Sequence, residues 1–378
     1  MTTQVAATQS TVCQMAVAIE IAAAKWVVVS TPGGTRKQRR RVLAQREVTE
    51  RFAALQAEVS EARRKLGVAE AARVVVAYEA GQEGFWLVRA LREAGFEAEV
   101  IDPVSLQVDR RARRAKTDRL DGEALSMALW RWAGGEAGAL RMVRVPSLEA
   151  EDAREWQRER DRLESERRSV RDRIIKKLRT HGIWLCSKTW ASDLREGKLR
   201  TFAGAPLGEQ LQAALQVELR RMEHIEVEIK QWAVRRATLA PPIMQKIERL
   251  AALRGIGPVG ATALATQLFW RTFDNRRRVG SCVGLTGTPY DSGTMRQDQG
   301  ISKAGNPKLR ALLVELSWLW LRLQPDSAIS RWFQERTQGA GKRGRRVMIV
   351  AVARRLAVAL WRYVQFAEIP KGATLKPA

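Results

Sequence analysis

The first third of the chain alternates short apolar runs with segments of helical periodicity. The runs M-A-V-A-I-E-I and K-W-V-V-V-S, at residues 15–21 and 25–30, predict two neighbouring strands. Similar patterns predict strands at residues 36–42, 73–78 and 97–101 and helices at residues 49–66 and 81–95. Alternating strands and helices are typical of an α/β layer, where ligands bind at the carboxyl ends of the strands. We therefore expect an α/β domain over residues 14–146.

The pattern then changes to long helices. Residues 149–180 and 207–237 carry apolar residues seven apart, namely Trp156, Leu163 and Val170 in the first segment and Leu215, Met222 and Ile229 in the second. Seven-residue spacing is typical of helices that pack along a shared apolar seam. Over residues 147–240 we expect a coiled-coil helical hairpin, which either folds on itself or pairs with another subunit. A plain helical spacer fits the same pattern.

A Pro-Pro pair begins the third predicted domain, which is mainly α-helical and covers residues 241–366. The stretch L-A-A-L-R-G-I-G-P-V-G-A-T-A-L-A, at residues 250–265, resembles a helix-hairpin-helix. In such a turn Gly255 and Gly257 expose backbone N–H groups that bind phosphate, although the pattern also fits a turn that only packs two helices. Residues 280–293 are predicted to be irregular, residues 312–323 and the stretch after G-K-R-G-R-R to be helices, and residues after 369 to be a tail.

Composition adds a strong positive charge. The 378 residues include 66 Lys and Arg against 41 Asp and Glu, a formal net charge of +25. A field of this sign favours nucleic acid or an anionic membrane as partner. The membrane is disfavoured, because no run of about 18 apolar residues lacks a charge. The first residues have no basic stretch followed by a long apolar core, so we expect a cytoplasmic protein.

The reactive side chains of the sequence favour chemistry that uses carboxylates rather than cysteine or histidine. Cys13, Cys186 and Cys282 are scattered and fit no metal spacing. The histidines are His181 and His224. With only two histidines, the chain has few residues for a Ser-His-Asp mechanism or for a zinc site built on histidine.

Four acids stand where a metal site for phosphodiester chemistry would need them. Asp118 and Asp121 are one helical turn apart, so both project from one face of a helix. Glu20 and Glu79 each end an apolar strand of the predicted layer. Converging carboxylates would repel one another unless cations neutralised them, which favours a Mg²⁺ site.

Cations stand next to these acids in the sequence and could hold a polyanion: Arg110, Arg111, Arg113, Arg114, Lys116 and Arg119. The alternative is a solvated basic helix start, with Glu20 and Glu79 merely capping strands at the surface.

Two stretches carry a family resemblance. Y-E-A-G-Q-E-G-F-W-L-V-R-A-L-R-E-A-G-F, followed by I-D-P and by R-R-A-R-R-A-K-T-D-R-L-D, resembles the DEDD-type insertion-sequence transposases. The resemblance implies the ribonuclease-H-like fold of the RuvC resolvase for the first domain. It also implies that Glu20, Glu79, Asp118 and Asp121 are metal ligands. Glu20 stands where the family usually has Asp, and its extra methylene shifts the metal by about a bond length in a site that has adapted to it.

The C-terminal domain of that family resembles residues 255–306, with G-I-G-P, G-L-T-G-x-P, S-G and G-I-S-K-x-G-N. The resemblance implies a serine that attacks DNA and becomes transiently linked to it. By position this serine is Ser292, with Ser302 as the rival. A serine needs activation, and with no histidine nearby a metal on the carboxylate domain of the same or another subunit would supply it. The phosphate contacts expected here are Lys303, Asn306, Lys308 and Arg310.

These features predict a DNA transposase or recombinase of an insertion sequence, acting on element ends and target within a homo-oligomer, a dimer or tetramer. The resemblance implies that a structured non-coding RNA, a bridge RNA, pairs with both DNAs and chooses the sequence, while the protein reads shape and backbone. Two alternatives stay open. One is a relic, disabled at Glu20, that binds nucleic acid without catalysis. The other is a resolvase-like nuclease that uses metal-activated water and never Ser292.

Overall fold

The structure is a computed structural model that divides the chain into two compact units, Met1–Val145 and Pro146–Ala378. It describes residues 13–33, 37–105, 118–184, 189–292 and 295–377, with the backbone alone for residues 118–121, 290–292 and 295–299.

A five-stranded sheet forms the centre of the first unit. Its strands, in the order β3-β2-β1-β4-β5, are β1 Met15–Ile21, β2 Trp26–Pro32, β3 Arg39–Leu43, β4 Val74–Glu79 and β5 Glu97–Ile101. β1, β2 and β3 pair antiparallel, whereas β1, β4 and β5 run parallel. Valine and isoleucine recur in β1, β2 and β4, because β-branched side chains pack well on a pleated surface buried on both faces. The prediction of an α/β layer is confirmed.

Helices cover both faces of this sheet. They are α1 Val48–Leu66, α2 Trp86–Glu93 and α3 Asp118–Ala133. α1 and α2 bury Leu55 and Leu87 in the cluster that holds Val17 and Ile19 of β1. α3 buries its own leucines in the opposite cluster, which holds Ala16, Ala18, Val75 and Ala77. α2 begins five residues later than predicted, because residues 82–85 form turns and Gly84 adopts a left-handed φ of 65°.

Two long helices open the second unit, α4 Leu148–Arg179 and α6 Glu209–Arg235, with the short α5 Trp190–Arg195 between them. α4 and α6 pack through a shared core of Val170, Ile174, Leu178, Leu215, Leu219 and Met222. At the far end Trp156 and Trp232 each donate an indole N–H to the other's carbonyl, at 3.1 and 2.8 Å. The two helices lie close to their predicted positions, while α5 was not predicted. Whether they act as a coiled coil between subunits stays a prediction.

The remaining elements surround a core that includes Leu264, Leu313, Trp320 and Leu356. They are α7 Pro241–Ala252, α8 Pro258–Gln267, α9 Arg276–Cys282, β6 Gly287–Ser292, β7 Met295–Ile301, α10 Pro307–Leu323, α11 Ala328–Thr337 and α12 Lys342–Phe366. The prediction that residues 280–293 are irregular was wrong, because α9 ends within this segment and β6 pairs antiparallel with β7. The basic cluster G-K-R-G-R-R lies mostly inside α12 rather than before it.

Residues after 369 do not form a free tail. Leu375 forms a β-bridge with Leu253, and the Lys376 N–H donates to the Ala252 carbonyl at 2.8 Å. The side chain of Gln324, 2% exposed, holds Thr374 through both its amide nitrogen and its oxygen. This C-terminal segment, residues 370–376, therefore belongs to the second unit. The sequence pattern missed it because the bonds that hold it to the unit come from residues distant in the chain.

No helix within the described residues is long and apolar enough to cross a membrane.

Candidate functional site

The two candidate glutamates lie at the carboxyl ends of neighbouring parallel strands. Ile19 of β1 and Tyr78 of β4 are register partners, and Glu20 and Glu79 are the residues that follow them. Because side chains alternate along a strand, both glutamates belong to the sheet face of Ala18 and Ala77, which α3 covers. Glu20 is half-buried and Glu79 is exposed.

α3 runs antiparallel to β1 across this face. Trp130 near its end donates to the Cys13 carbonyl at 3.2 Å, before the start of β1. Gly122 near its start packs so closely on Val29, the register partner of Ala18, that a Cβ would lie 3.0 Å from Val29 Cγ2. The four residues from Gly122 back to Asp118 span about 6 Å of helix, close to the rise from Ala18 to Glu20. The first turn of α3 therefore points toward the carboxyl end of β1.

A buried polar network positions α3, and the sequence reasoning missed it. Thr31 Oγ1 and Ser126 Oγ lie 2.7 Å apart with both side chains fully buried. Gln38 Nε2 donates to Thr31 Oγ1 at 3.0 Å, to Ser126 Oγ at 3.2 Å and to the Glu123 carbonyl at 3.1 Å. The sequence did contain a signal for this network: Thr31 lies within an apolar strand and Ser126 on an apolar helix face. Buried hydroxyls need hydrogen-bond partners, so the two could have been expected to meet.

The acids themselves are described in part. Asp118 and Asp121 lie in the first turn of α3, and their side chains, like that of Arg119, are outside the described ones. The other basic residues predicted here, Arg110, Arg111, Arg113, Arg114 and Lys116, lie outside the described residues. Among the described side chains, which do not include those of the two aspartates, no group of three or more His, Cys, Asp or Glu could hold a metal. The four-acid cluster therefore stays a prediction.

The donor set suits a hard divalent cation, because Mg²⁺ prefers carboxylate oxygens. The backbone around Glu79 is well fixed. The Ala80 N–H donates to the Ile101 carbonyl at 2.9 Å, and the Tyr78 hydroxyl donates to the Gly84 carbonyl at 2.9 Å. Burial raises the pKa of Tyr78 to about 12, so this hydroxyl keeps its proton.

The glycine turn of the predicted helix-hairpin-helix lies between α7 and α8. Gly255 has a left-handed φ of 93°, and Gly257 is the N-cap residue of α8, which no side chain in the described part of the chain caps. The carbonyl side of this turn is held by the C-terminal segment, since Lys376 Nζ donates to Ile256 at 2.8 Å and to Ala251 at 2.5 Å. That a phosphate binds at the start of α8 stays a prediction.

The two candidate serines lie at opposite ends of the β6–β7 hairpin. Ser292 is the last residue of β6 and the register partner of Met295, and its side chain is outside the described ones. Ser302 follows β7, is half-buried, and its N–H donates to the Thr286 carbonyl at 2.8 Å.

The expected phosphate contacts after Ser302 already have bonds within the fold. Asn306 caps α10 by accepting the N–H groups of Lys308 and Leu309 at 3.0 and 3.2 Å. Arg310 Nη1 donates to the carbonyls of Val283 and Lys303, both at 3.3 Å.

The two lysines among the expected phosphate contacts, Lys303 and Lys308, differ from Asn306 and Arg310. Lys303 has a left-handed φ of 55°. The ammonium of Lys308 lies 3.5 Å from Asp161 Oδ2 and is largely exposed. We conclude that Asn306 and Arg310 shape the loop, whereas Lys308 remains accessible to an anion.

Comparison with known proteins identifies the family. Residues 17–183 match the DEDD transposase model of the IS110 group, and residues 247–332 match the model described as the transposase IS116/IS110/IS902 family. The putative transposase y4rJ of Sinorhizobium fredii is 39% identical over 382 residues, covering 95% of this chain and 94% of that protein. The chain belongs to the IS116/IS110/IS902 family of transposases.

A relative of lower sequence identity is also named as a transposase. The probable family 20 transposase of Pseudomonas aeruginosa is 29% identical over 298 residues, covering 76% of this chain and 82% of that protein. This chain is thus a DNA transposase, an enzyme, whose first unit has the ribonuclease-H-like α/β fold of DEDD transposases. Such domains use a divalent metal ion, and the matched ranges include all four candidate acids and both candidate serines.

Proposed function

We propose that this transposase cleaves and rejoins DNA strands at the ends of a mobile element and at its target, using four carboxylates that hold Mg²⁺. The ligands are Glu20, Glu79, Asp118 and Asp121. The observation that carries this proposal is that the first turn of α3 points toward the edge of the sheet where the carboxyl ends of β1 and β4 hold Glu20 and Glu79. The bound ion would supply positive charge for the phosphate and its leaving oxygen.

The residues before α3 have the role of holding the DNA. Arg110, Arg111, Arg113, Arg114, Lys116 and Arg119 precede or enter the turn that carries the two aspartates. Their guanidinium and ammonium groups would neutralise backbone phosphates and bring a strand to the carboxylates. Gly255, Gly257, Lys303, Asn306, Lys308 and Arg310 would contact phosphate in the second unit. For Asn306 and Arg310 the contact would come from Nδ2 and Nη2, since the bonds that shape the loop use Asn306 Oδ1 and Arg310 Nη1.

Ser292 is the proposed nucleophile, with Ser302 as the rival. Its hydroxyl would bond to the phosphorus as a strand P–O bond breaks, leaving the chain transiently linked to DNA. Its place as the last residue of β6, paired with Met295 at the end of the hairpin, supports this role, since binding and catalytic residues are commonly carried where strands end.

We infer a division of labour along the chain. Residues 14–146 form the RuvC-like catalytic domain, residues 147–240 hold subunits of a dimer or tetramer together as a coiled coil, and residues 241–366 carry the serine. The protein acts in the cytoplasm, and a structured bridge RNA supplies sequence choice. The net charge of +25 supports an RNA partner as well as DNA.

Strand exchange in vitro tests the proposal. Full-length protein is incubated with a donor DNA carrying the element ends, a target DNA, Mg²⁺ and the RNA transcribed from the element flank. Asp118→Ala and Ser292→Ala are each expected to abolish joined product. Asp152→Ala and Ser169→Ala, both exposed on α4, are matched controls expected to retain it.

The same assay separates the alternatives. A covalent protein–DNA adduct in the wild type that disappears in Ser292→Ala supports the serine, and an adduct that disappears in Ser302→Ala instead supports the rival. Cutting that persists in Ser292→Ala without any adduct would establish the resolvase-like nuclease. Tight binding with no cutting by any variant would establish the relic. Product formed equally with and without RNA would refute the bridge RNA.

A further inference from the structure

A cluster of cations and an indole lies in the second unit, apart from the residues discussed so far. Arg154 of α4 and Arg271, which follows α8, both lie over the ring of Trp270, with their Cζ atoms 5.3 and 4.4 Å from its centroid. Gln157, one helical turn after Arg154, is 3% exposed. We call Arg154, Gln157, Trp270 and Arg271 the arginine–tryptophan cluster.

Arg154 occupies an unfavourable place for a cation. Burial lowers the pKa of Arg154, and repulsion from Arg158 and Arg271 lowers it further, while the attraction of Glu151 is the weakest of these effects. A desolvated guanidinium is retained in proteins where an anion compensates it. Within the described residues, the buried Nε of Arg154 has no hydrogen-bond partner.

The indole of Trp270 points to the same conclusion. Its Nε1 is buried and, among the described residues, also has no acceptor. Buried donors are nearly always hydrogen-bonded, so two of them beside one another need an explanation. An oxyanion that accepts from both would satisfy them. Stacking on the indole holds the guanidinium planes in place, and a planar guanidinium suits bidentate binding of phosphate.

The cluster is joined to the segment that carries Ser302. Gln157 Nε2 donates to Asp161 Oδ1 at 2.8 Å, and Asp161 pairs with Lys308. On the other side, Arg271 acts electrostatically on Cys282, whose carbonyl accepts the Asn306 N–H at 3.2 Å. An anion bound here would therefore lie beside residues 300–310.

We propose that the arginine–tryptophan cluster binds one phosphodiester group of a nucleic-acid strand, through the guanidinium groups of Arg154 and Arg271 and the N–H of Trp270. This rests on the proposed function to the extent that a nucleic acid must pass this unit. A phosphodiester held here fixes the path of the strand past the loop between β7 and α10. DNA and RNA share this chemistry, so each is a separate arm of the test.

The test is equilibrium binding of the full chain to a labelled DNA duplex and to a labelled RNA duplex of equal length and random sequence, at several salt concentrations. Arg154→Gln is compared with Arg168→Gln, which removes the same charge from an exposed position on the same helix. We expect Arg154→Gln to weaken binding about tenfold and to reduce the slope of log affinity against log salt by about one. The nucleic acid that loses more affinity is the ligand. Equal affinities and slopes for the two variants would overturn the proposal.

A second readout separates binding from packing. If the cluster is a ligand site, Arg154→Gln relieves a buried repulsion, and the Tm without nucleic acid stays level or rises. If Arg154 only packs on Trp270, the Tm falls and the salt slope does not change, which also overturns the proposal. Arg154→Lys keeps the charge without the planar fork, so we expect weaker binding with an unchanged slope.

The outcome is independent of strand exchange. Should the wild type fail to exchange strands while Arg154→Gln still weakens binding more than Arg168→Gln, the proposed function fails and the phosphate site stands. Should strand exchange succeed while the two variants bind alike, the phosphate site fails alone.

Discussion

Tyr78 links the interior of the first unit to the candidate site at the scale of a single residue. It is fully buried, it precedes Glu79, and its hydroxyl donates to the Gly84 carbonyl at 2.9 Å. This bond spans the turn between β4 and α2 and so limits the positions that Glu79 can take. Because burial raises the pKa of Tyr78 to about 12, the bond is made by a neutral hydroxyl over the whole physiological range.

We expect Tyr78 to make folding stability depend on alkaline pH. Its folded pKa of about 12 lies above its ordinary value of 10.0, so the folded chain holds this proton more tightly. The stabilisation is fully present below pH 10 and is lost as the pH rises toward about 12, by about 1.4 kcal/mol per pH unit.

Urea unfolding of wild type and Tyr78→Phe across this range measures the effect. At neutral pH Tyr78→Phe should be about 1 kcal/mol less stable, for the lost hydrogen bond. The difference should shrink above pH 10. Tyr363→Phe, in the second unit, controls for loss of a tyrosine hydroxyl elsewhere. A wild-type advantage that is the same at every pH would contradict the expectation.

The C-terminal segment shows how one element holds another. Gln324, at the end of α10, donates its amide to the carbonyls of Arg254 and Thr374 at 2.7 and 2.8 Å, and its oxygen accepts the Thr374 N–H at 2.8 Å. Gly372 makes the close approach possible, because it has a left-handed φ of 73° and a Cβ there would lie 2.7 Å from the Asp326 carbonyl. The segment thereby braces the turn between α7 and α8.

Gln324→Leu should release this segment. The change leaves the Arg254 carbonyl and the Thr374 N–H without the Gln324 side chain, while the Thr374 carbonyl keeps the Arg254 N–H, so we expect a loss of about 3 kcal/mol in the free energy of unfolding. Hydrogen exchange of the Thr374 and Lys376 amides should accelerate more than that of the core of α10. Gln334→Leu, exposed on α11, is the matched control and should change stability by less than about 0.5 kcal/mol. Unchanged protection of Thr374 in Gln324→Leu would show that other contacts suffice.

At the scale of the whole molecule, positive charge dominates. The excess of Lys and Arg over Asp and Glu is 25 residues. Some of the negative charge in the second unit is paired internally, since Glu164, Glu218 and Glu223 each form an ion pair with an arginine. The excess of positive charge attracts a polyanion, which suits a protein that must hold long nucleic acids.

DNA binding should therefore weaken steeply with salt. If about 6 to 10 phosphates are neutralised, affinity falls about 10³- to 10⁵-fold between roughly 50 and 200 mM salt. Fluorescence anisotropy with a labelled duplex measures this, and circular dichroism at both salt concentrations confirms that the protein stays folded. An affinity that hardly changes with salt would mean that base contacts, rather than phosphate contacts, dominate.

Much of the fold could be predicted wherever residues close together in the sequence decide the local structure. The valine-rich runs predict β1, β2 and β4, because strands buried on both faces need continuous apolar residues. The seven-residue spacing predicts α4 and α6 for the same kind of reason. The placing of Glu20 and Glu79 at one edge followed from the parallel layer alone.

Other elements depend on partners far along the chain. β6 and β7 have few apolar residues, so their sequences show no alternation of apolar and polar positions from which the hairpin could have been predicted. α11 is short and is capped by Ser327, whose hydroxyl accepts the Ser330 N–H, and a serine that accepts such a bond is also common outside helices. The network of Thr31, Gln38 and Ser126 joins residues that are up to 95 positions apart.

The α/β layer, the long helices, the positive charge and the set of carboxylates from which a metal site could be built can all be read from the amino-acid sequence. These depend on composition and on periodicity between residues that are close in the chain. Folding in three dimensions was needed to show that α3 crosses the sheet toward the ends of β1 and β4, that the C-terminal segment braces the α7–α8 turn, and that Arg154 lies against Trp270. Each of these is a contact between distant segments, and it forms only when the burial of apolar surface has brought those segments together.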